Sequence, residues 1–142
     1  MSSVTQSPAT TQSVASAVPT SKKMLWAGRI VSAIPVLLMF LSAVMKLIKP
    51  APVVQGFVRF GYPESQIVIL GVLELLSCIM YLIPSTAVLG AILMTGYLGG
   101  ATATNVRVGD PSYIMTVLLG VFVWGGLFFR DGRVRALIPF RR

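Results

Sequence analysis

Histidine is absent from this chain, cysteine occurs once, and only four residues are acidic. A single cysteine, Cys78, can form neither an internal disulfide nor a dithiol redox pair. Without histidine, the chain cannot ligate haem through that residue, and the common zinc and copper sites lose their usual ligand. Any redox role must therefore be exercised through a bound molecule or through another subunit.

Charged residues of either sign are also scarce. They make up 11% of the 142 residues, whereas soluble domains average about 25%. Hydrophobic residues make up 55% of the chain, and the mean hydropathy is +0.82. This composition predicts an integral membrane protein with a single domain.

The first 21 residues differ from the rest of the chain. They contain six Ser and four Thr and carry no charged side chain. Such a segment cannot bury enough apolar surface to fold, so we expect a disordered tail over residues 1–21 and a membrane domain over residues 22–142. The apolar stretch that follows the tail is too long for the core of a secretory signal peptide.

Four apolar runs are long enough to cross a bilayer as helices, at about residues 25–47, 66–83, 87–106 and 113–129. Between the first two runs, Val53, Phe57 and Phe60 recur at helical spacing, which predicts a short amphipathic helix on the membrane surface. The predicted fold is therefore an all-α, four-helix transmembrane bundle with a short amphipathic helix between spans 1 and 2.

The third span contains a GxxxG pattern at Gly96 and Gly100, and Gly99 with Ala103 adds a second pair of small residues. Small residues at this spacing let two helix backbones approach closely in a membrane. We expect this span to pack closely on a neighbour. A membrane protein partner, or a second copy of the chain, could dock through Gly96 and Gly100.

The basic residues flank the apolar runs instead of forming one patch. Four spans place both chain ends on one side, which then holds eight of the twelve Lys and Arg residues, at positions 22, 23, 29, 130, 133, 135, 141 and 142. The other side holds those at positions 46, 49, 59 and 107. The positive-inside rule therefore predicts cytoplasmic termini. Because these residues serve topology and lipid contacts, the net charge of +8 does not indicate nucleic-acid binding.

Glu74 is the most informative polar residue, since it lies at the centre of the second span without another charge in that run. A carboxylate there costs roughly 2.5–3.5 kcal/mol on insertion scales, so it should face protein, find a polar partner or take up a proton. Tyr97 lies at the same depth in the third span, whereas Lys46 is roughly 15 Å away by helical rise. We therefore expect Glu74 to be protonated, or hydrogen-bonded to Tyr97 and Ser42, rather than paired with Lys46.

The residues leave the role of Glu74 open. It is either a packing hydrogen bond that fixes helix register, or the polar anchor of a cavity for a lipophilic ligand such as a quinone or a lipid. Proton coupling is a third alternative.

A second polar cluster gathers at the outer end of the bundle and includes Lys46, Thr102, Asn105 and Arg107. One interpretation is a solvated interface in which Arg107 extends toward water. The other is recognition of a polar head group at the outward mouth of the bundle. The candidate ligand-binding residues are thus Glu74, Tyr97, Ser42, Lys46, Thr102, Asn105 and Arg107, with no catalytic set and no metal site among them.

Several segments carry a family resemblance, namely Gly28-Arg29, Lys46-Leu47, Lys49-Pro50 and residues 71–76 (GVLELL), 81–84, 87–101 and 106–111. From about Gly28 onward, the chain resembles the DoxX-like family of small four-span bacterial membrane proteins. The resemblance implies a location in the bacterial inner membrane. The family's namesake is associated with a membrane thiosulfate:quinone oxidoreductase, and other relatives look like accessory or assembly partners of membrane complexes. Many relatives carry His where this chain has Asn105, which weakens a proton or metal role at that position.

Our first hypothesis is a non-catalytic membrane protein that binds a lipophilic ligand or a partner subunit around Glu74 and Tyr97. The alternatives are an accessory subunit of a quinone-linked membrane oxidoreductase and a chaperone-like assembly factor whose glycine-rich span docks a client helix. A stand-alone enzyme is least favoured, because the sequence offers neither a nucleophile–base pair nor a metal set. No cofactor is evident apart from a bound quinone or lipid, and membrane lipids are expected partners.

Overall fold

The computed structural model of the protein describes residues 21–137, and its regular structure in that range is helical. The helices are α1 (Lys22–Ile48), α2 (Ala51–Arg59), α3 (Ser65–Leu82), α4 (Ala87–Arg107), α5 (Tyr113–Arg130) and α6 (Gly132–Leu137). Four of them, α1, α3, α4 and α5, are long and apolar enough to cross a membrane. The predicted four-helix bundle is thereby confirmed. The predicted disordered tail lies, except for Ser21, outside the described residues.

The four long helices form a ring. Helix α1 packs against α3 and α5, and α4 packs against the same two helices, so α1 and α4 stand diagonally across the bundle. The chain reverses direction at each connection, which gives the bundle two distinct ends. We name the end with Lys22, Leu82, Ala87 and Arg130 the terminal end. The opposite end, where α1 stops and α3 starts on either side of α2, is the α2 end.

Glycines bring the helices into backbone contact at the terminal end. A Cβ atom on Gly90 of α4 would overlap the Tyr81 backbone of α3, and one on Gly126 of α5 would overlap Ser32 of α1. A Cβ on Gly28 of α1 would lie 2.9 Å from the Arg130 backbone nitrogen. No larger residue fits at these crossings, so α4 rests directly on α3 and α5 rests directly on α1.

Tyr81 joins three helices at this end and is fully buried. Its hydroxyl donates to the Val123 carbonyl of α5 at 2.7 Å and lies 3.0 Å from the Ser32 hydroxyl of α1. Arg130 donates to the Tyr81 carbonyl at 2.7 Å, and its guanidinium lies 4.4 Å from the Tyr81 ring centroid. Helix α6, which the sequence did not predict, adds the buried Val134 to the same core.

The GxxxG face of α4 does not pack as expected within the chain. Gly96, Gly99 and Gly100 are exposed, and among the described residues no atom of another helix lies within 4 Å of a Cβ built on any of them. The expected close contact of this face with a neighbouring helix of the chain is therefore wrong. Helix α4 instead makes its close contact at Gly90. Docking of another protein through Gly96 and Gly100 stays a prediction.

Candidate functional site

A cavity of about 770 Å³ lies in the half of the bundle near α2. All four long helices contribute to its wall, which is mainly apolar. Helix α2 and the loop after it add Phe57, Phe60 and Tyr62, which the sequence analysis did not predict as lining residues. The amphipathic pattern of α2 was the available signal, because an apolar helix face must cover something.

Lys46 and Glu74 form an ion pair on the cavity wall. The Lys46 ammonium nitrogen lies 2.9 Å from Glu74 Oε2, and the Glu74 side chain is only 3% exposed. Lys46 also donates to the Ser42 hydroxyl. The expectation that Glu74 would not be paired with Lys46 is therefore wrong.

Gly71 explains why Lys46 lies closer to Glu74 than helical rise predicted. A Cβ on Gly71 of α3 would lie 2.9 Å from the Lys46 Cβ, so α1 crosses α3 at this glycine, three residues before Glu74. The predicted separation of roughly 15 Å holds only if the ends of α1 and α3 lie at the same depth in the membrane. In the fold, α3 starts six residues before Gly71, whereas α1 ends two residues after Lys46. Helix α3 therefore extends beyond α1 by roughly 6 Å, and Lys46 comes down to the depth of the acid.

Tyr97 completes this group from α4. Its hydroxyl donates to Glu74 Oε2 at 3.3 Å, so the predicted hydrogen bond between the two residues is present. The Lys46 ammonium also lies 5.8 Å from the Tyr97 ring centroid. A buried ion pair keeps its charges stable only when further hydrogen bonds support it, and Ser42 and Tyr97 supply them.

Asn105 differs from the ion pair in its hydrogen bonding. The residue is 8% exposed and lines the cavity, yet its side-chain amide has no hydrogen-bond partner in residues 21–137. The amide atoms are open to the cavity, because no fully buried polar side-chain atom in the described residues lacks a hydrogen-bond partner. Asn105 therefore offers two donors and one acceptor to whatever occupies the cavity.

Two of the predicted residues lie outside the cavity lining. The Thr102 hydroxyl lies 2.7 Å from the Thr116 hydroxyl and donates to the Leu98 carbonyl at 2.7 Å, so it joins α4 to α5. Arg107 donates to the Phe60 carbonyl at the end of α2. The fold thus brings five of the seven predicted residues to the cavity, namely Ser42, Lys46, Glu74, Tyr97 and Asn105.

Polar contacts hold the α2 segment over the outer end of the cavity. The Tyr62 hydroxyl lies 2.9 Å from the Thr104 hydroxyl of α4, and Arg59 lies 3.7 Å from Asp110. Hydrogen bonds from Ser112 lower the pKa of the Asp110 carboxyl below its usual value, so the acid stays charged beside Arg59 at neutral pH. The segment is therefore attached to α4 and to the α4–α5 loop.

Within the described part of the chain, no group of three or more His, Cys, Asp or Glu residues could hold a metal ion. The side chains that could contact a bound organic molecule are those of the cavity wall. Its polar members are the Lys46–Glu74 ion pair, the amide of Asn105 and several hydroxyl groups, set in mainly apolar surroundings.

Comparison with known proteins places the chain in a family. The model of the DoxX-like family matches residues 30–126, which is more than half of the chain. No curated protein and no solved structure matches it. The matched range holds the whole cavity lining and the four long helices that could span a membrane, apart from residues 22–29 of α1 and 127–130 of α5. The chain belongs to the DoxX-like family and is a multi-span membrane protein.

Proposed function

We propose that this protein is a non-catalytic membrane protein that binds a lipophilic molecule, a quinone or a lipid, in the cavity around Glu74. The observation that carries the proposal is the cavity itself, about 770 Å³ in volume, with the Lys46–Glu74 ion pair and Tyr97 on a mainly apolar wall. Ligand sites typically have roughly 300–1,000 Å³ and a few polar groups that orient the ligand.

The chemistry of the wall supports binding rather than catalysis. The two charged groups of the cavity contact each other, so each already has a partner before a ligand binds. Tyr97 donates to the same carboxylate, and Asn105 is a neutral amide. These groups can hold a polar head, while the apolar wall holds the remainder of the ligand.

We further propose that the protein lies in the bacterial inner membrane with both termini in the cytoplasm. The support is the distribution of Lys and Arg, eight on the side of the termini and four on the other. In that orientation the α2 end and the covered end of the cavity face the outside of the cell.

Native mass spectrometry of the gently purified protein tests the proposed ligand. We expect a quinone or a lipid to remain bound to the wild type and to be lost in Glu74→Gln, since the neutral amide leaves the Lys46 ammonium on the cavity wall without a counter-charge. The matched control is Glu64→Gln, which changes the same residue type at an exposed position paired with Lys49 outside the cavity. A wild type without a bound molecule, or equal ligand content in both variants, would contradict the proposal.

The same spectra address the alternative that the protein is an accessory subunit of a quinone-linked oxidoreductase or an assembly factor. Gly96 and Gly100 are exposed and contact no other helix of the described chain, so a partner helix could reach them. Stable recovery of a second membrane protein, without a small molecule, would favour that alternative.

A further inference from the structure

We propose that the cavity opens sideways to the bilayer between α3 and α4, past Gly96 and Gly100, and that it takes a molecule with a neutral polar head and an apolar tail. This inference rests on the proposed function, because it names the access route and the class of ligand for the same cavity.

The first support is the open space beside Gly96 and Gly100 of α4. At Gly90 the two backbones touch, since a Cβ there would overlap Tyr81. At Gly96 and Gly100, about two and three turns further along α4, a Cβ would meet no atom within 4 Å, and both glycines line the cavity. By helical period, Gly96 and Gly100 point about 120° and 80° away from Gly90 around α4, so they lie on the outward side of the seam between α3 and α4. We name the open space beside these two glycines the wedge.

The second support is the exposure of the side chains along this wedge. Leu73 of α3 and Ile92 of α4 line the cavity, yet they are 51% and 53% exposed. On the opposite wall, Met39 and Leu119 also line the cavity and are 2% and 9% exposed. The opening therefore lies at the lipid-facing surface between α3 and α4.

The third support is the cover over the outer end. Phe57, Phe60 and Tyr62 line the cavity there, and the hydrogen bond between Tyr62 and Thr104 holds this segment against α4. Arg107 adds a bond to the Phe60 carbonyl. A molecule dissolved in the bilayer thus has a direct route into the cavity, whereas the route from water is covered.

The polar groups of the wall select a neutral head. Among the residues that the structure describes, Lys46 and Glu74 are the only charged ones on the cavity lining, and they neutralise each other at 2.9 Å. An anionic head would have to compete with Glu74 for Lys46 in a site of low dielectric constant. The unpartnered amide of Asn105, which is more than nine-tenths buried, instead fits a hydroxyl, carbonyl or amide.

The positions of Asn105 and the glycines also fit an elongated ligand. Asn105 lies five residues beyond Gly100 and nine beyond Gly96, toward the α2 end of α4. By helical rise, these separations are roughly 7.5 and 13.5 Å. A head bonded to Asn105 would therefore lie near the membrane interface, and its tail would leave through the wedge at mid-depth, where lipid tails lie.

Photolabelling in lipid nanodiscs tests the opening. The probe is hexadecanol with a diazirine in its chain, and mass spectrometry of peptides reports the labelled residues. We expect the wild type to be labelled at the cavity lining, and Gly96→Leu to lower that labelling about tenfold, which corresponds to about 1.4 kcal/mol. Gly99→Leu is the matched control, since Gly99 is equally exposed on α4 but does not line the cavity.

A second probe tests the head group. Hexadecyl phosphate with the same diazirine should label the cavity about tenfold less than hexadecanol at equal mole fraction. Equal labelling by the two probes would overturn the neutral-head inference. Equal labelling of Gly96→Leu and the wild type by hexadecanol would overturn the opening, and Gly100→Leu repeats the test if Gly96→Leu does not fold.

The results separate this inference from the proposed function. If no natural ligand is recovered but Gly96→Leu still blocks the probe and Gly99→Leu does not, the opening stands and ligand binding as the natural role fails. If a ligand is recovered but Gly96→Leu has no effect on the probe, the proposed function stands and the opening fails. A wild-type dimer that Gly96→Leu dissociates would show that a helix, and not a lipid tail, occupies the wedge.

Discussion

The two ends of this bundle are built from the same four helices and are packed in opposite ways. At the terminal end, Gly90 and Gly126 place helix backbones in contact, and Tyr81 fills the centre with its hydroxyl bonded. At the α2 end, Gly96 and Gly100 on the same α4 helix face open space, and a cavity replaces the core. A glycine thus allows close packing only where another helix lies against it, and at Gly96 and Gly100 the missing side chain leaves open space.

The α2 end remains open because its helices are held at defined points. Gly71 lets α1 cross α3 closely, and the Lys46–Glu74 ion pair fixes that crossing from within the cavity wall. Tyr97 extends the connection to α4. The terminal end therefore depends on close packing, and the α2 end depends on a polar group of four side chains.

The largest expected effect comes from removing one member of the ion pair. Lys46→Met leaves the buried Glu74 carboxylate without its partner, which typically costs about 3–5 kcal/mol. We expect the free energy of unfolding, measured by denaturant titration in micelles, to fall by an amount in that range.

The double variant Lys46→Met/Glu74→Met is the control for this prediction. Two apolar side chains of similar volume can replace a buried ion pair at little cost, so we expect most of the lost stability to return. A single variant as stable as the wild type would show that the α2 end does not depend on this pair.

The next effect contrasts two glycines of α4. Gly90→Ala forces a methyl group into the Tyr81 backbone, and overpacking of this kind costs about 1–3 kcal/mol or more. Gly96→Ala adds the same methyl group to open space, so we expect a change within about 0.5 kcal/mol. Thermal unfolding of both variants in the same detergent measures the difference. Equal losses of stability in Gly90→Ala and Gly96→Ala would refute the wedge between α3 and α4.

The smallest effect contrasts two tyrosine hydroxyls. Tyr81→Phe removes a fully buried donor from the Val123 carbonyl and a partner from Ser32, which we expect to cost about 1–2 kcal/mol. Tyr97→Phe removes a longer bond to a carboxylate that keeps Lys46, so its cost should be below about 1 kcal/mol. Unfolding curves of the two variants measure these costs. A larger loss of unfolding free energy in Tyr97→Phe than in Tyr81→Phe would show that the hydroxyl at the α2 end contributes more stability than the one at the terminal end.

Particular residues show how far the sequence alone reaches into the site. The pairing of Glu74 with Tyr97 was predictable, because both lie mid-span and helical rise sets their depth. The pairing of Glu74 with Lys46 was not, because it depends on how far α3 extends beyond α1. Gly71, three residues before Glu74, was a usable signal of that crossing, since a small residue marks close helix contact.

The GxxxG pattern of α4 predicted a helix contact that the described chain does not make. Spacing identifies a face on which helices could pack, but not whether a helix is there. The close contact formed instead at Gly90, which belongs to no such pattern, because the short connection after α3 forces α4 against Tyr81.

The sequence by itself determined the helices of this protein, the number of them that can span a membrane, and the free-energy cost of a carboxylate at mid-span. It could do so because hydrophobicity, helical period and burial cost are local properties of the chain. The tertiary structure alone decided that Lys46 reaches Glu74, that Asn105 faces a cavity without a partner, and that Gly96 and Gly100 border an opening. These outcomes depend on the offset and separation of neighbouring helices, which arise only when all four pack together.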